Sequence, residues 1–338
     1  MNSEDVKAIE ALLSKPQKIV IIPHKNPDGD AIGSSLGLWH FFNNKGYNVK
    51  VVVPNDYPKF LKWMPGTESI LNFEKENTQA LACLSAASLC FTLDFNDLSR
   101  VGQVTSVLEG LSADFVMIDH HRAPSDYAKI TYSDVTMSST CEMVYNFIVA
   151  LGGLNEITED IANCLYAGIV TDTGSFKFAS TTSATHLTAA SLIEKGAENA
   201  LIQNRIFDTN SPERLQLLGC ALKNMVILKE YQTAYTTLSQ DELDTYHYKK
   251  GDTEGFVNYG LTIENIKFAV IFIENKEEGI IKISFRSEGN FSVNEFARAH
   301  FHGGGHTNAA GGKSDSDLPT ATSRFTELLK SYKADLNS

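Results

Sequence analysis

In the first half of the chain, short and almost wholly apolar runs alternate with helix-like stretches, and few folds accommodate that pattern. KIVIIP is followed by DAIGSSLGLWHFFNNKG, which ends at Gly46; NVKVVVP, AASLCFTLD and DFVMIDHH come later. A strand that leaves one face in water alternates apolar and polar residues. A continuously apolar strand needs cover on both faces, the condition of a parallel sheet with helices on either side. TEDIANCLYAGIVTDTG continues the pattern as a helix opening on a Thr or Asp cap.

The second half reads differently. From Ser183 to Leu222 the pattern is helical and more polar, with Ser211 followed by Pro212, a favoured residue pair for a helix start. Beyond it YQTAYTTL, KFAVIFIE and IIKISFRS alternate as half-buried strands do. The 338 residues suit two domains better than one core. The expected architecture is α/β: a parallel-sheet domain over 1–190 with helices on both faces, a helical connector over 191–222, and a smaller α/β domain over 223–338, with a cleft between the domains. There is no internal repeat and no low-complexity tract.

A net charge of −12 argues against long duplex nucleic acid as a partner, since nonspecific binding relies on Lys and Arg neutralising phosphates. Any phosphate-bearing ligand must be gripped locally. The five cysteines form no C-x-x-C pair and fit buried thiols of a reducing compartment. The N-terminal MNSEDVKAIEALLSKPQ has no apolar core of a signal peptide and reads as an amphipathic helix. The longest uncharged stretch, Asn77 to Leu93, is shorter than the ~20 residues of a membrane span. The expectation is a cytoplasmic protein with no membrane partner.

The chemistry collects at the ends of the apolar runs. HKNPDGDAIGS puts His24, Asp28 and Asp30 just past the first one. LDFND places Asp94 after another, and DFVMIDHH delivers Asp119, His120 and His121. GIVTDTG sets Asp172 at the end of a helix. Singly, each has an ordinary reading as a cap, a turn or a core histidine. Together they bring acids and imidazoles to one edge of one sheet, where open α/β sheets bind ligands. Like charges that close are tolerated when cations sit between them. His24, Asp28, Asp30, Asp94, His120 and Asp172 make six side-chain donors, more than one open-site ion uses and enough for two if a carboxylate bridges. Two such ions about 3.5–4 Å apart form a clamp for displacement at phosphorus. Mixed imidazole and carboxylate ligands favour Mn2+, Fe2+ or Zn2+ over Mg2+.

The second half contributes FRSEGNFSVNEFARAHFHGGGHTNAAGGK. From Ile281 to Lys313 four Lys or Arg face two Glu, a locally basic segment in an acidic protein. Gly303, Gly304 and Gly305 precede His306 and can turn several N–H groups toward one point as an anion nest. Arg286 and His306 are natural phosphate partners. Two other readings stay open: the glycines make only a tight turn, or His300, His302 and His306 bind a further metal.

In this order HKNPDGDAIGS, LDFND, DHH, TDTG and GGGH resemble the motifs of DHH phosphoesterases with a C-terminal DHHA1 domain, closest to the bacterial nanoRNase and pAp phosphatase branch. The resemblance covers nearly the whole chain. It implies two Mn2+ ions, with Mg2+, Fe2+ and Zn2+ left open: His24 and Asp28 on one, Asp30, His120 and Asp172 on the other, and Asp94 bridging. It implies His121 facing the substrate phosphate, with Asp119 orienting its neighbours, as the catalytic pair. Arg286, His306 and the Gly303–305 backbone would hold the far end of the nucleotide. The activity implied is hydrolysis of short oligoribonucleotides and dinucleotides (nanoRNA, pApA, pGpG) to mononucleotides, together with dephosphorylation of pAp to AMP. With a second anchor across the cleft, short substrates are expected to be preferred. The alternatives are a cyclic di-AMP phosphodiesterase and, from another class, a nucleotide sensor without catalysis. Arg286 is followed by Ser287 and Glu288, not by the Ser-Arg-Lys pattern of related inorganic pyrophosphatases, which argues against pyrophosphate. Homodimerisation is left open.

Overall fold

A computed structural model describes residues 1–337, and its two compact units divide between Thr209 and Asn210. The first unit contains strands β1 (Lys18–Pro23), β2 (Asn48–Val53), β3 (Leu71–Asn72), β4 (Leu89–Leu93), β5 (Asp114–Asp119) and β6 (Ile130–Ser133). They form one sheet in the order β3-β2-β1-β4-β5-β6, every pair parallel. Its helices are α1 (Ser3–Leu13), α2 (Gly29–Asn44), α3 (Asn77–Ser85), α4 (Thr105–Glu109), α5 (Thr140–Ala150), α6 (Glu159–Asp172), α7 (Ser183–Glu194) and α8 (Asn199–Phe207). The chain leaves β1 on one side through β2 and β3, then returns on the other through β4. That reversal opens a crevice at the C-terminal ends of β1 and β4.

The strand period of two explains the apolar runs. Ile19, Ile21 and Phe91 face a core shared with α2, α5 and α6, which contribute Leu36, Phe147 and Leu165. Val20, Ile22 and Cys90 face a second core with Ala80, Leu84 and Leu108 of α3 and α4. Both faces are covered, so a polar residue in these strands needs an internal partner, as Thr92 of β4 finds in the Tyr127 hydroxyl at 2.7 Å.

Helix α2 is buried along most of its length. Gly29, Gly33 and Gly37 recur every fourth residue and form a smooth strip against α6. A Cβ at Gly33 would lie 2.5 Å from the Cys164 carbonyl oxygen, and one at Gly37 2.5 Å from Leu165 Cδ2. The helices run antiparallel in near-backbone contact, so the start of α2, with Asp28 and Asp30, meets the end of α6, with Asp172.

The second unit holds α9 (Pro212–Lys223), β7 (Val226–Leu228), β8 (Thr233–Leu238), α10 (Gln240–Thr245), β9 (Phe268–Asn275), β10 (Ile280–Ser287), α11 (Val293–His300), β11 (Gly304–Gly305), β12 (Ala309–Ser314), α12 (Leu318–Leu329) and α13 (Lys333–Leu336). Its sheet runs β11-β12-β10-β9-β8-β7, antiparallel except for β8 with β9. Phe268, Phe272 and Phe285 pack with Phe296 of α11 and Phe325 of α12. On the other face Ala269 and Ile271 meet Leu217 and Leu218 of α9 and Leu243 of α10.

The helical stretch expected as a connector is shared out. Leu192 of α7 and Ile202 of α8 join the first unit's core, and α9 packs in the second unit. Among the described residues no helix is long and apolar enough to cross a membrane.

Candidate metal centre

His24 lies one residue past β1, and Asp94 one residue past β4. Asp28 caps α2, its Oδ1 accepting from the N–H groups of Asp30 and Ala31, both at 3.1 Å. Asp30 is in the first turn of that helix, Asp119 ends β5 ahead of His120 and His121, and Asp172 ends α6. Two left-handed residues shape the rim. Asp94 has φ 65° and Asn26 φ 56°, a region disfavoured by about 1–2 kcal/mol that short polar side chains tolerate best. Asn26 is held by Asn55 after β2: Asn26 N–H donates to Asn55 Oδ1 at 2.7 Å, and Asn55 Nδ2 donates to Asn26 Oδ1 at 2.8 Å.

All six donors expected from the sequence converge. Asp94 divides its carboxylate between two sides: Oδ2 is 3.4 Å from His24 Nε2, while Oδ1 is 3.6 Å from His120 Nε2 and 3.7 Å from His121 Nδ1. His24 Nε2 is also 3.9 Å from Asp28 Oδ2. His120 Nε2 is 3.6 Å from Asp172 Oδ2 and 4.0 Å from Asp30 Oδ2. Three sets, His24/Asp28/Asp94, Asp30/His120/Asp172 and Asp94/His120/His121, each offer donor atoms within 4.8 Å of one another.

The imidazoles are aimed by the backbone. His24 Nδ1–H donates to Lys25 O at 2.8 Å and His120 Nδ1–H to Met137 O at 3.3 Å, so both turn Nε2 to the carboxylates. His121 is set apart. Its Nδ1–H donates to Asp119 Oδ1 at 2.7 Å and its N–H to Asp119 Oδ2 at 3.1 Å.

One set of partners was missed in the sequence. Asp30 Oδ2 accepts from Thr140 N–H at 2.6 Å and Oδ1 from Cys141 N–H at 2.8 Å, which seats the carboxylate on the N-terminus of α5. Thr140 Oγ1 donates to Asp94 Oδ1 at 3.0 Å. The signal was SSTCE, in which Ser139 caps α5 through Glu142 N–H; nothing local shows that the helix end points at residues 30 and 94.

The electrostatics fit a site built for cations. Burial opposes a charge on His24, but Asp94 and Asp28 outweigh it and push its pKa up to about 9. His120 is likewise pushed up to about 9, burial being outweighed by Asp94, Asp172 and Asp30. Burial and the Asp94 charge push Asp30 up to about 7. Withdrawal from water and the nearby Asp30 raise Asp172 well above the usual carboxylate range. At Asp94 the three imidazoles overcome burial and hold the carboxyl below its ordinary value. A cluster that draws protons to two imidazoles and three carboxylates, Asp28 among them, has a charge that divalent cations would neutralise, and its nitrogen and oxygen donors are the atoms such ions take.

The segment after Asp172 is bent sharply. Gly174, Ser175 and Phe176 are all left-handed, with φ 56°, 59° and 65°. Thr173, fully buried, holds the bend: its carbonyl accepts from Lys177 and Phe178 N–H at 3.0 Å each, and its Oγ1 from Phe176 N–H at 3.0 Å.

In the second unit, the glycines depart from expectation. Gly304 and Gly305 form a short strand, β11, on β12. Gly303 N–H donates to Ala297 O at 3.2 Å, Gly305 N–H to Asn294 Oδ1 at 3.0 Å, and His306 N–H to Ala309 O at 2.7 Å. These N–H groups are spent within the unit, so no open nest forms. Glycine serves close approach instead: a Cβ at Gly303 would lie 2.8 Å from Gly312 Cα, and one at Gly305, with φ 153°, 2.8 Å from Ala310 Cα. Arg286 of β10 pairs with Ala309, so it shares a corner of the sheet with the turn at His306. Among the described residues its guanidinium makes one hydrogen bond, from Nη1 to Phe285 O at 2.9 Å. His300 is engaged elsewhere, its Nε2 lying 2.7 Å from the Tyr332 hydroxyl.

A parallel α/β sheet with carboxylates and imidazoles gathered at its switch point, followed by a second α/β unit, defines a narrow class of protein. Residues 18–169 match the DHH family N-terminal domain and residues 232–337 the DHHA1 domain. The chain is 31% identical over 329 residues to the bifunctional oligoribonuclease and PAP phosphatase NrnA of Thermus thermophilus, covering 97% of this chain and 92% of that protein. It is 27% identical over 348 residues to the cyclic-di-AMP phosphodiesterase GdpP of Geobacillus thermodenitrificans, covering 96% of this chain and 49% of that protein. The crystal structure of an exopolyphosphatase-related protein from Bacteroides fragilis superposes with a TM-score of 0.97 at 38% identity, covering 100% of this chain and 98% of that one. The chain belongs to the DHH family.

Proposed function

We propose that this protein is a divalent-cation-dependent phosphoesterase that hydrolyses short oligoribonucleotides and dinucleotides, pApA and pGpG among them, to mononucleotides and dephosphorylates pAp to AMP. The observation that carries the reading is Asp94, whose two oxygens face separate donor sets, His24 on one side and His120 on the other. The similarity to the Thermus thermophilus oligoribonuclease and PAP phosphatase supports the choice of substrate.

His24 and Asp28, with Asp94, would hold one Mn2+, and Asp30, His120 and Asp172, with Asp94, a second. Such a pair supplies Lewis-acid polarisation of a phosphoryl oxygen and acidifies water. The chain's own groups do the rest. Asp119 fixes the His121 proton on Nδ1 and holds the ring, which keeps His121 in one orientation beside the charge that develops on the phosphoryl oxygens. Thr140 and Cys141 lock Asp30 so that it does not reorganise between ligand states. In the second unit Arg286 keeps donors suited to a phosphate fork, and His306 sits at the same corner, next to the Gly303–305 backbone.

The test is a parallel assay, with Mn2+ and with chelator, on pAp, pApA, linear oligoribonucleotides of increasing length and cyclic di-AMP. Cation-dependent turnover that falls as length grows is expected. Equal rates along the length series would remove the preference for short substrates. Cyclic di-AMP cleaved faster than pApA would shift the assignment to a cyclic dinucleotide phosphodiesterase. No turnover of any substrate would leave a nucleotide-binding protein without catalysis.

A further inference from the structure

The bend after Asp172 carries a large apolar side chain that the chemistry above does not use. Two phenylalanines belong to the bend, Phe176 as the last left-handed residue and Phe178 just after it, and have opposite fates. Phe176 is packed, stacked on His186 at 5.2 Å between ring centroids and 6.1 Å from Tyr166. Phe178 is 48% exposed. Among the described residues it meets no other aromatic ring. Instead it lies against Gly174, where a Cβ would stand 2.6 Å from its ring Cζ.

The ring is held near the metal centre. Gly174 is two residues past Asp172, at most ~7 Å along the backbone. The Phe178 N–H bond to Thr173 O closes the loop, and Gln203 Nε2 donates to Ser175 Oγ at 2.8 Å to brace it. Two consecutive non-glycine residues in the left-handed region persist only where the surroundings impose them, and such strain gathers at ligand sites. Here it leaves a phenyl ring open to water against Gly174, two residues past the candidate cation ligand Asp172. A flat apolar surface there matches the face of a nucleobase, whose stacking tolerates any sequence.

We propose that Phe178 is the stacking platform for the base of the nucleotide whose phosphate lies at the metal centre. The assignment rests on the phosphoesterase reading for its ligand. It predicts that the protein separates nucleotides from other phosphate esters by the base, with little preference among bases.

The experiment uses the full chain carrying Phe178→Trp, with the parent chain, whose tryptophans are Trp39 and Trp63, as reference. AMP and ribose 5-phosphate are titrated in Mn2+ while indole fluorescence is followed. AMP should quench the added indole, and ribose 5-phosphate, which carries the phosphate without the base, should not. In steady state, Phe178→Ala should raise KM for pApA about ten-fold with kcat nearly unchanged, since stacking is retained in the transition state. Phe178→Tyr should restore the parent KM. Equal responses to AMP and ribose 5-phosphate, or an unchanged KM in Phe178→Ala, would overturn the proposal. Should the parent chain turn over no phosphoester, the phosphoesterase reading falls, and the AMP against ribose 5-phosphate comparison still decides the stacking.

Discussion

The rim of the first unit and the glycine-rich corner of the second are built on opposite plans. At the rim, side chains from the ends of β1, α2, β4, β5 and α6 meet, and four are fixed by a neighbour: Asp30 by the end of α5, His121 by Asp119, His24 and His120 by carbonyls. At the corner, one turn and two strands, β10 and β11, supply Gly303–305, His306 and Arg286, and most of what surrounds them is backbone. The rim holds concentrated charge that burial makes expensive without counter-ions. The corner holds its hydrogen bonds internally and offers a single under-used guanidinium. The contrast fits the proposed function, with chemistry at the rim and recognition at the corner.

That contrast can be broken by substitution. Asp94→Ala should cost most, because one residue serves both donor sets. Turnover of pApA should drop at least about a thousand-fold, and Mn2+ binding followed by calorimetry should be lost with it. Retained Mn2+ stoichiometry would show that Asp94 does not join the two sets. The backbone contact beneath the rim comes next. Gly33→Ala forces a methyl group against the Cys164 carbonyl and should destabilise by about 1–3 kcal/mol, lowering Tm by several degrees. Gly219→Ala, where nothing lies within 4 Å of the added carbon, is the control and should leave Tm unchanged or slightly raised. An unaltered Tm for Gly33→Ala would mean that α2 and α6 can part freely. At the corner, His306→Ala should raise KM for pApA about ten-fold and leave kcat nearly intact; a kcat loss comparable to that of Asp94→Ala would erase the division of labour.

The smallest effect expected is in pH. In metal-free protein His24 and His120 have pKa values pushed up to about 9, against about 6.5 when unfolded. Their contribution to stability is complete below pH ~6.5 and is lost as pH rises toward 9. Asp30, pushed up to about 7, acts in the same direction at lower pH, because the folded state keeps a proton that the unfolded state has released. Tm of the metal-free chain should therefore fall by a few degrees between pH 6.5 and 8.5. Saturating Mn2+ should flatten the decline by taking the place of the protons. A metal-free Tm that rises over this range would contradict the charge balance described for the rim.

How much of this was legible depends on the range of the interaction. Continuous apolar runs identify a parallel sheet because each strand must be covered on both faces, and that constraint acts within six or so residues. The ligand candidates were legible because their identity is their chemistry: Asp94 or His120 carries its donor wherever it lies. The supports were not. Thr140 holds Asp30 across 110 positions and Asn55 holds Asn26 across 29, and no local pattern encodes either pairing. The strands β11 and β12 escaped for a different reason, since glycine-rich segments carry no apolar alternation.

By itself, then, the amino-acid order determined the layered α/β plan and the set of groups able to bind cations, since both follow from residue type and short-range periodicity. Tertiary structure decided which carboxylate oxygen faces which imidazole. It also decided whether the GGGH glycines form an anion nest or a strand. That choice turned on acceptors in α11, the Asn294 side chain and the Ala297 carbonyl, which take the N–H groups of Gly305 and Gly303. A backbone donor has the same identity at every residue, so only the folded surroundings determine where it is spent.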